Sequence, residues 1–501
     1  MRSVRLAFRT LFKSPFVTVV AIISLALGIG ANAAIYSLFD QLLMAPLPVH
    51  QPERLVNLAA PGPKSGSTSC NNAGDCDVIF SYPMFRDIEK AQTAFSSVAA
   101  HRIFSANVAY DGETLSGDAV MVSGSYFGTL GLQPYLGRLL APSDDETIGA
   151  HYVAVLDHAF WEARLGADPA VVGRNIIVNG QPFNIIGIAP EDFSGSTVGN
   201  RPVVYVPISM RALVNPGFAG FENRLAYWVY VFARLKPDVT IEQAEQAVNV
   251  VYRPIINDVE LPLQAGVSER FLTEFAAKQI DVSDGRRGQS SMHTEARTPL
   301  LLMMGTAAVV LLIACANIAN LLLARGANRG LEMAVRLSLG ASRRQVIAQL
   351  LTESVLLGML GGLAGLAVAW WTLALIGSLL PGDATQVIEL GLRTEVVAFA
   401  AVTAVTTGLL FGVFPALHRT RSGLVTTIRA NAGNLTVTRA AARFRAGLVI
   451  AQIALSMTLL ILAGLFMRSL VNIGNVDLGL RTESIVTFAI QPEQNGYEQQ
   501  A

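Results

Sequence analysis

The chain has 501 residues, 52% of them hydrophobic and only 15% charged, against about 25% charged in an ordinary soluble domain. Lysine plus arginine and aspartate plus glutamate each total 37, so the basic excess of a nucleic-acid-binding chain is absent. These figures argue against a soluble globular enzyme and against a nucleic-acid partner.

In a helix, crossing a hydrocarbon core of about 30 Å takes about 20 apolar residues. Five stretches reach that length without an Asp, Glu, Lys or Arg: Phe16 to Phe39, Pro299 to Ala324, Ser354 to Pro381, Val396 to Leu417 and Ala446 to Met467. They predict a membrane α-helical protein with five transmembrane helices embedded in the lipid bilayer. The first run also imitates a cleavable secretory signal, with Arg2, Arg5, Arg9 and Lys13 before it and Ala31, Asn32 and Ala33 within it. Its apolar part continues through Ile35, Leu38 and Phe39, beyond the roughly 7 to 15 residues of a signal core, and this favours an uncleaved anchor.

Orientation follows from the short flanks. Residues 2–13 hold four basic side chains, 325–344 hold five and 419–445 hold six, with Glu332 the one acid among them. Such a bias places these segments in the cytoplasm. Taking those fifteen basic residues and one acid from the two totals of 37 leaves 22 basic and 36 acidic residues elsewhere. The N-terminus is therefore expected inside and the long segment 41–298 outside.

Within that segment Tyr152 to Leu156, Asn175 to Val178 and Phe183 to Ile188 read as strands. Asn179-Gly180 between the last two is a hairpin signal, because both turn positions need positive φ. Tyr227 to Leu235 alternates in the same way. Thr240 and Gln243 form a capping box for a helix to about Ile256, so a mixed α/β outer domain is expected. Cys70 and Cys76, with five residues between them in a Gly, Ser and Asn-rich loop, are either a loop-closing disulfide or two free thiols. Cys315 falls inside the second span and reads as a packing residue.

Signatures of chemistry are missing. No Gly-x4-Gly-Lys-Ser/Thr occurs, so the chain carries no P-loop of its own. Of the six histidines (His50, His101, His151, His158, His293, His418) only His151 and His158 lie near one another in sequence. That pair reads as scattered surface residues rather than a zinc site. Gly28-Ile29-Gly30-Ala31-Asn32-Ala33 matches a dinucleotide fingerprint but lies in an apolar span and follows no strand, so its glycines mean close helix packing. Gly361-x3-Gly365 has the same meaning. No span contains an ionisable residue, which leaves no candidate for a proton relay. No metal, cofactor or catalytic residue is expected.

The loop from Arg325 to Thr352, RGANRGLEMAVRLSLGASRRQVIAQLLT, is the most informative segment. Leu331, Met333, Val335, Leu337 and Leu339 give one short helix an apolar side, Glu332 can pair with Arg336, Gly340 breaks the helix, and Ser342 is an N-cap for the next. Physics alone leaves two uses open, docking a soluble partner or holding anionic lipid. This loop, with ACANIANLLLARGANR before it (Ala314 to Arg329) and ESVLLGMLGGLAG after it (Glu353 to Gly365), resembles the FtsX-like permeases. These are the membrane subunits of MacB and LolC/LolE type ABC transporters. VSGSYFGTLGLQPYLGRLLAPSDD (Val122 to Asp145) and FWEARLGADPAVVGRNIIVNGQPFNIIGIAPEDF (Phe160 to Phe193) resemble the MacB-type periplasmic core domain.

The resemblance implies mechanotransmission, in which a separate cytoplasmic ABC ATPase moves the spans and the spans move the periplasmic domain. ATP would be bound by that separate subunit, with Glu332, Arg336, Gly340, Ala341, Arg343 and Arg344 forming the coupling contact. It also implies a homo- or heterodimer of permease units in the bacterial inner membrane, with a periplasmic adaptor as a further partner. The domains then read as 1–40 (amphipathic start and first span), 41–298 (periplasmic core), 299–417 (permease spans), 418–445 (cytoplasmic linker) and 446–501. The last begins like a second repeat, since FRAGLVIAQIALSMTLLILAGLFMRSL (Phe444 to Leu470) has the basic approach of the first span. That layout resembles the first half of a duplicated orphan permease cut short. The expected function is export, efflux or envelope maintenance. The alternative is an FtsX-like regulator or orphan protein that activates or senses a periplasmic partner.

Overall fold

A computed structural model describes residues 15–215, 218, 220–327, 342–379, 391–421 and 438–475. They form two compact units: one comprises the described residues up to Gln41 and from Thr298 onward, the other Leu42–Arg297.

The Leu42–Arg297 unit is built on a mixed sheet of twelve strands. In chain order these are β1 (Leu55–Ala59), β2 (Ser67–Thr68), β3 (Phe80–Ser81), β4 (Phe95–Tyr110), β5 (Glu113–Val122), β6 (Leu136–Gly137), β7 (Val153–Leu156), β8 (Asn175–Val178), β9 (Gln181–Ile188), β10 (Val204–Pro207), β11 (Ala226–Leu235) and β12 (Asp281–Asp284). They pair in the order β12-β1-β11-β4-β5-β10-β7-β9-β6, with β2 and β3 also on β11 and β8 bridging β4 and β9. The hairpin read at Asn179-Gly180 is present: both residues have positive φ (49° and 78°) and Val178 faces Gln181. An equivalent turn at Asp111-Gly112 (φ 49° and 85°) joins β4 to β5.

The alternation in β11 suggests a strand with one wet face, yet all ten of its residues are buried. Trp228 and Phe232 pack on Tyr82 and Tyr126 of two short helices, Tyr82–Ala91 and Tyr126–Leu130. Tyr227, one residue out of phase and so on the other face, lies beneath the Lys278 ammonium at 5.7 Å. Thr240 and Gln243 form the expected capping box on the helix Ile241–Pro254. Cys70 and Cys76 are disulfide-bonded, with Cα atoms 5.1 Å apart.

The other unit consists of long helices: α1 (Pro15–Phe39), α2 (Arg297–Ala327), α3 (Arg343–Leu379), α4 (Thr394–Arg421) and α5 (Thr438–Gly474). Four helical segments, Pro15–Met44, Met292–Asn320, Arg344–Leu379 and Ala446–Gly474, are long and apolar enough to cross a membrane. The remaining expected span, Val396 to Leu417, lies in α4, whose described apolar part is the shorter Thr394–Leu410. The count among the described residues is thus four rather than five, because the side chains of 411 and 414–421 fall outside them.

Candidate coupling site

Of the residues assigned to the coupling loop, Glu332, Arg336, Gly340 and Ala341 lie outside the described residues. Ser342 is the first residue after them. Its Oγ accepts from the Gln345 amide at 3.3 Å, and its own amide donates to Gln345 Oε1 at 2.9 Å. This reciprocal cap fixes the start of α3, where Arg343 is the first helical residue and the Arg344 side chain is exposed. From that cap α3 runs for 37 residues without a break, a length of about 55 Å at about 1.5 Å per residue. A single helix therefore leads from the loop through the membrane segment.

Glycines set how closely the neighbouring helices approach α3. A Cβ added at Gly30 of α1 would stand 2.8 Å from the Gly365 carbonyl oxygen and 2.8 Å from Val368 Cβ, and one at Gly361 would stand 2.5 Å from Leu25 Cβ. Backbones in such contact gain dispersion energy where lipid offers no hydrophobic drive. On the α4 side Gly362 faces Ala404 Cβ at 2.8 Å, measured in the same way. Ala21, Ala33, Ala34, Ala369, Ala400 and Ala404 fill the shared core with Leu25, Ile29 and Leu357. Cys315 of α2 is buried in that core, as a packing residue should be. The glycines of the first span thus pack helices.

Asn32 adds a polar tie. Its Nδ2 donates to the Gly28 carbonyl in its own helix and to the Ala307 carbonyl of α2, each at 2.8 Å. In the sequence Asn32 falls within both a signal-like tripeptide and a glycine fingerprint, neither of which gives its side chain a role. An amide in the middle of an apolar run was the signal to follow, because lipid leaves it no other partner. The end of α1 is also held to α4 and the residues just before it: Tyr36 stacks on Phe399 at 4.1 Å, Ser37 Oγ donates to the Gly391 carbonyl at 3.4 Å, and Asp40, one residue past α1, pairs with Arg393 at 3.5 Å. A π-turn, Asp40–Met44, follows α1.

Within Leu42–Arg297, the segments at the two ends of the unit are tied to one another and to the sheet. Leu47 donates its amide to the Arg286 carbonyl at 2.8 Å, and Arg287 Nη1 donates to the Leu43 carbonyl at 2.6 Å. Gln289 Nε2 donates to the Val231 carbonyl of β11 at 3.0 Å, which leaves Gln289 Oε1 to accept from His101 Nε2 at 2.9 Å. Burial pushes the His101 imidazole down to about 4, so it is neutral near pH 7 and suited to this role. Ser291 donates its amide to the Asn72 carbonyl at 2.9 Å, within the disulfide loop. Tyr230 OH holds that loop by donating to the Gly74 carbonyl at 2.7 Å and accepting from the Asn71 amide at 2.8 Å. None of these ties is readable from local sequence, since each joins residues far apart in the chain.

Among the described residues no group of three or more His, Cys, Asp or Glu could hold a metal. His158 packs on Tyr135 and Trp161.

Long apolar helices joined to a large α/β domain define a multi-pass membrane protein with an extramembrane domain. The chain matches the MacB-like periplasmic core domain over residues 18–251 and the FtsX-like permease C-terminal domain over 304–424. It is 28% identical to the pyoverdine export ATP-binding/permease protein PvdT of Pseudomonas syringae pv. tomato, over 57% of this chain and 38% of that one. To the macrolide export ATP-binding/permease protein MacB 2 of Aeromonas hydrophila it is 26% identical, over 72% of this chain and 48% of that one. The periplasmic region of MacB from Actinobacillus actinomycetemcomitans aligns at 15% identity with a TM-score of 0.32, over 49% of this chain and 92% of that one. The chain belongs to the FtsX/MacB type of permease. It spans less than half the length of the curated relatives named here.

Proposed function

We propose that the protein is the membrane subunit of an ABC-type exporter in the bacterial inner membrane, converting the motion of a separate cytoplasmic ATPase into motion of a periplasmic domain. The observation that carries this reading is the continuous path from the capped start of α3, through its glycine contact with α1, to the end of α1 at Phe39. ATP would be bound and hydrolysed by the partner alone, and two permease units would pair around an ATPase dimer, with a periplasmic adaptor completing the exporter. The N-terminus and the 325–344 and 419–445 segments face the cytoplasm in this scheme, as their basic bias requires.

A regulator that hands motion to an outer hydrolase is the competing use. Against a coiled-coil regulator, the longest α-helix among the described residues of the outer unit is Ile241–Pro254, 14 residues.

The test is purification of the tagged chain from membranes in mild detergent, identification of what accompanies it, and assay of vanadate-sensitive ATP hydrolysis. A co-purifying ATP-binding protein that is lost in Arg336→Glu/Arg343→Glu is the expected result. A well-folded chain that carries no ATPase, or one whose ATPase stays bound in the double variant, contradicts the assignment.

A further inference from the structure

One cluster in the outer unit has more positive charge and more donors than it has partners. Arg211 begins the short helix Arg211–Val214 and is 5% exposed. Its guanidinium carbon sits 3.8 Å from the ring centroids of both Phe218 and Trp228. Tyr82 and Phe221 complete the aromatic wall around Trp228. Nε and Nη1 of Arg211 and the indole Nε1 of Trp228 are buried with no hydrogen-bond partner. Arg102, 9% exposed, contributes a second guanidinium, and its bonds go to neutral acceptors: the Ser69 and Trp228 carbonyls and Ser69 Oγ. Among the described residues no carboxylate forms an ion pair or hydrogen bond with either arginine. Burial, and then the charge of Arg102, pushes the Arg211 guanidinium down to about 8.

Buried charges in folded proteins are paired, and buried donors are bonded. Here two guanidinium groups and three orphan N–H groups lie buried among aromatic rings. We propose that this cluster is a binding site for a small carboxylate ligand with an apolar body, its acid group taking the free donors of Arg211 and Trp228. Aromatic rings on the guanidinium leave its in-plane edges for a ligand, and a planar carboxylate matches those edges. The apolar walls favour a monoanion over a more heavily hydrated phosphate dianion. Phe218 is half-buried, whereas the Tyr82, Phe221 and Trp228 rings of this cluster are buried. The site shares no residue with the coupling path, so it holds whether or not an ATPase drives the domain.

The test uses the full chain in mild detergent and the fluorescence of Trp228, which touches the guanidinium. Sodium acetate and sodium benzoate are titrated at constant ionic strength against sodium chloride, with sodium phosphate as a separate arm. A saturable emission change with the carboxylates is expected, absent in Trp228→Phe, where Trp161, Trp370 and Trp371 report only background. Arg211→Lys keeps the charge but loses the planar edge and should bind about tenfold more weakly or worse. No saturation with either carboxylate in the wild type overturns the site. Saturation by phosphate or chloride as tight as by carboxylate overturns the ligand class, and wild-type binding in Arg211→Lys overturns the role of Arg211. The wild-type titrations decide the matter even if the variants fail to fold.

Discussion

Gly30→Ala is the sharpest perturbation of the proposed path. The added methyl would lie 2.8 Å from the Gly365 oxygen and 2.8 Å from both Val368 Cβ and Cγ1, whereas carbon atoms settle at about 3.5–4.0 Å. Relief requires α1 and α3 to part locally by about 1 Å. The neighbouring contacts, where an added Cβ would stand 2.5 Å from Leu25 Cβ at Gly361 and 3.2 Å from Ile29 Cβ at Gly365, would loosen with them. Overpacking of this kind costs about 1–3 kcal/mol, against a gain in helix propensity of about 1 kcal/mol at most. Gly305 of α2, where an added Cβ would meet nothing within 4 Å, isolates that gain. Thermal unfolding of the full chain in mild detergent should show Gly30→Ala melting a few degrees lower, at about 2–4 °C per kcal/mol, and Gly305→Ala at or above the wild type. Equal melting of Gly30→Ala and wild type would refute the claim that this crossing is closely packed.

Other expectations follow from single contacts. Asn32→Leu removes the bond to Ala307 of α2 and should lower stability by about 1 kcal/mol, read as faster proteolysis between α1 and α2 in detergent. Arg224→Met leaves Glu260, which is fully buried and paired with Arg224 at 2.7 Å, without its cation; a loss of about 3–5 kcal/mol is expected, and unchanged melting of the outer unit would contradict it. Burial first, and Lys64 second, hold the Lys278 ammonium down to about 7. The folded state therefore carries less charge there than the unfolded one, and stability should rise with pH between about 7 and 10. Lys278→Met should reduce that slope in denaturant titrations, leaving the part due to Lys64, whose ammonium burial also holds down. Cys70→Ser/Cys76→Ser should speed amide exchange at Ser291, whose amide donates to Asn72 inside the disulfide loop.

Features governed by local rules were legible in the sequence. Asn179-Gly180 forms its turn because few other dipeptides accept two positive φ angles, and Thr240 and Ser342 cap helices because their side chains reach their own first turns. The glycines of α1 and α3 announced helix packing because they sit in apolar runs. What escaped depended on distant partners. Tyr227 to Leu235 alternates like a half-wet strand but is buried on both faces, since helices far away in sequence cover it. The Asp111-Gly112 turn carries the same local signal as Asn179-Gly180. Gln289, His101 and Asn72 could not be foreseen, as polar residues in loops look alike until the fold brings them together.

The claim that motion started at the cytoplasmic loop reaches the outer domain is tested most directly by amide hydrogen exchange on the purified permease–ATPase complex, with and without ATP and vanadate. The account predicts changed exchange in 42–54 and 285–297, the segments next to α1 and α2 in the chain, and no change when the ATPase is instead added to purified Arg336→Glu/Arg343→Glu. Hydrolysis that proceeds while exchange throughout 42–297 stays the same would contradict it.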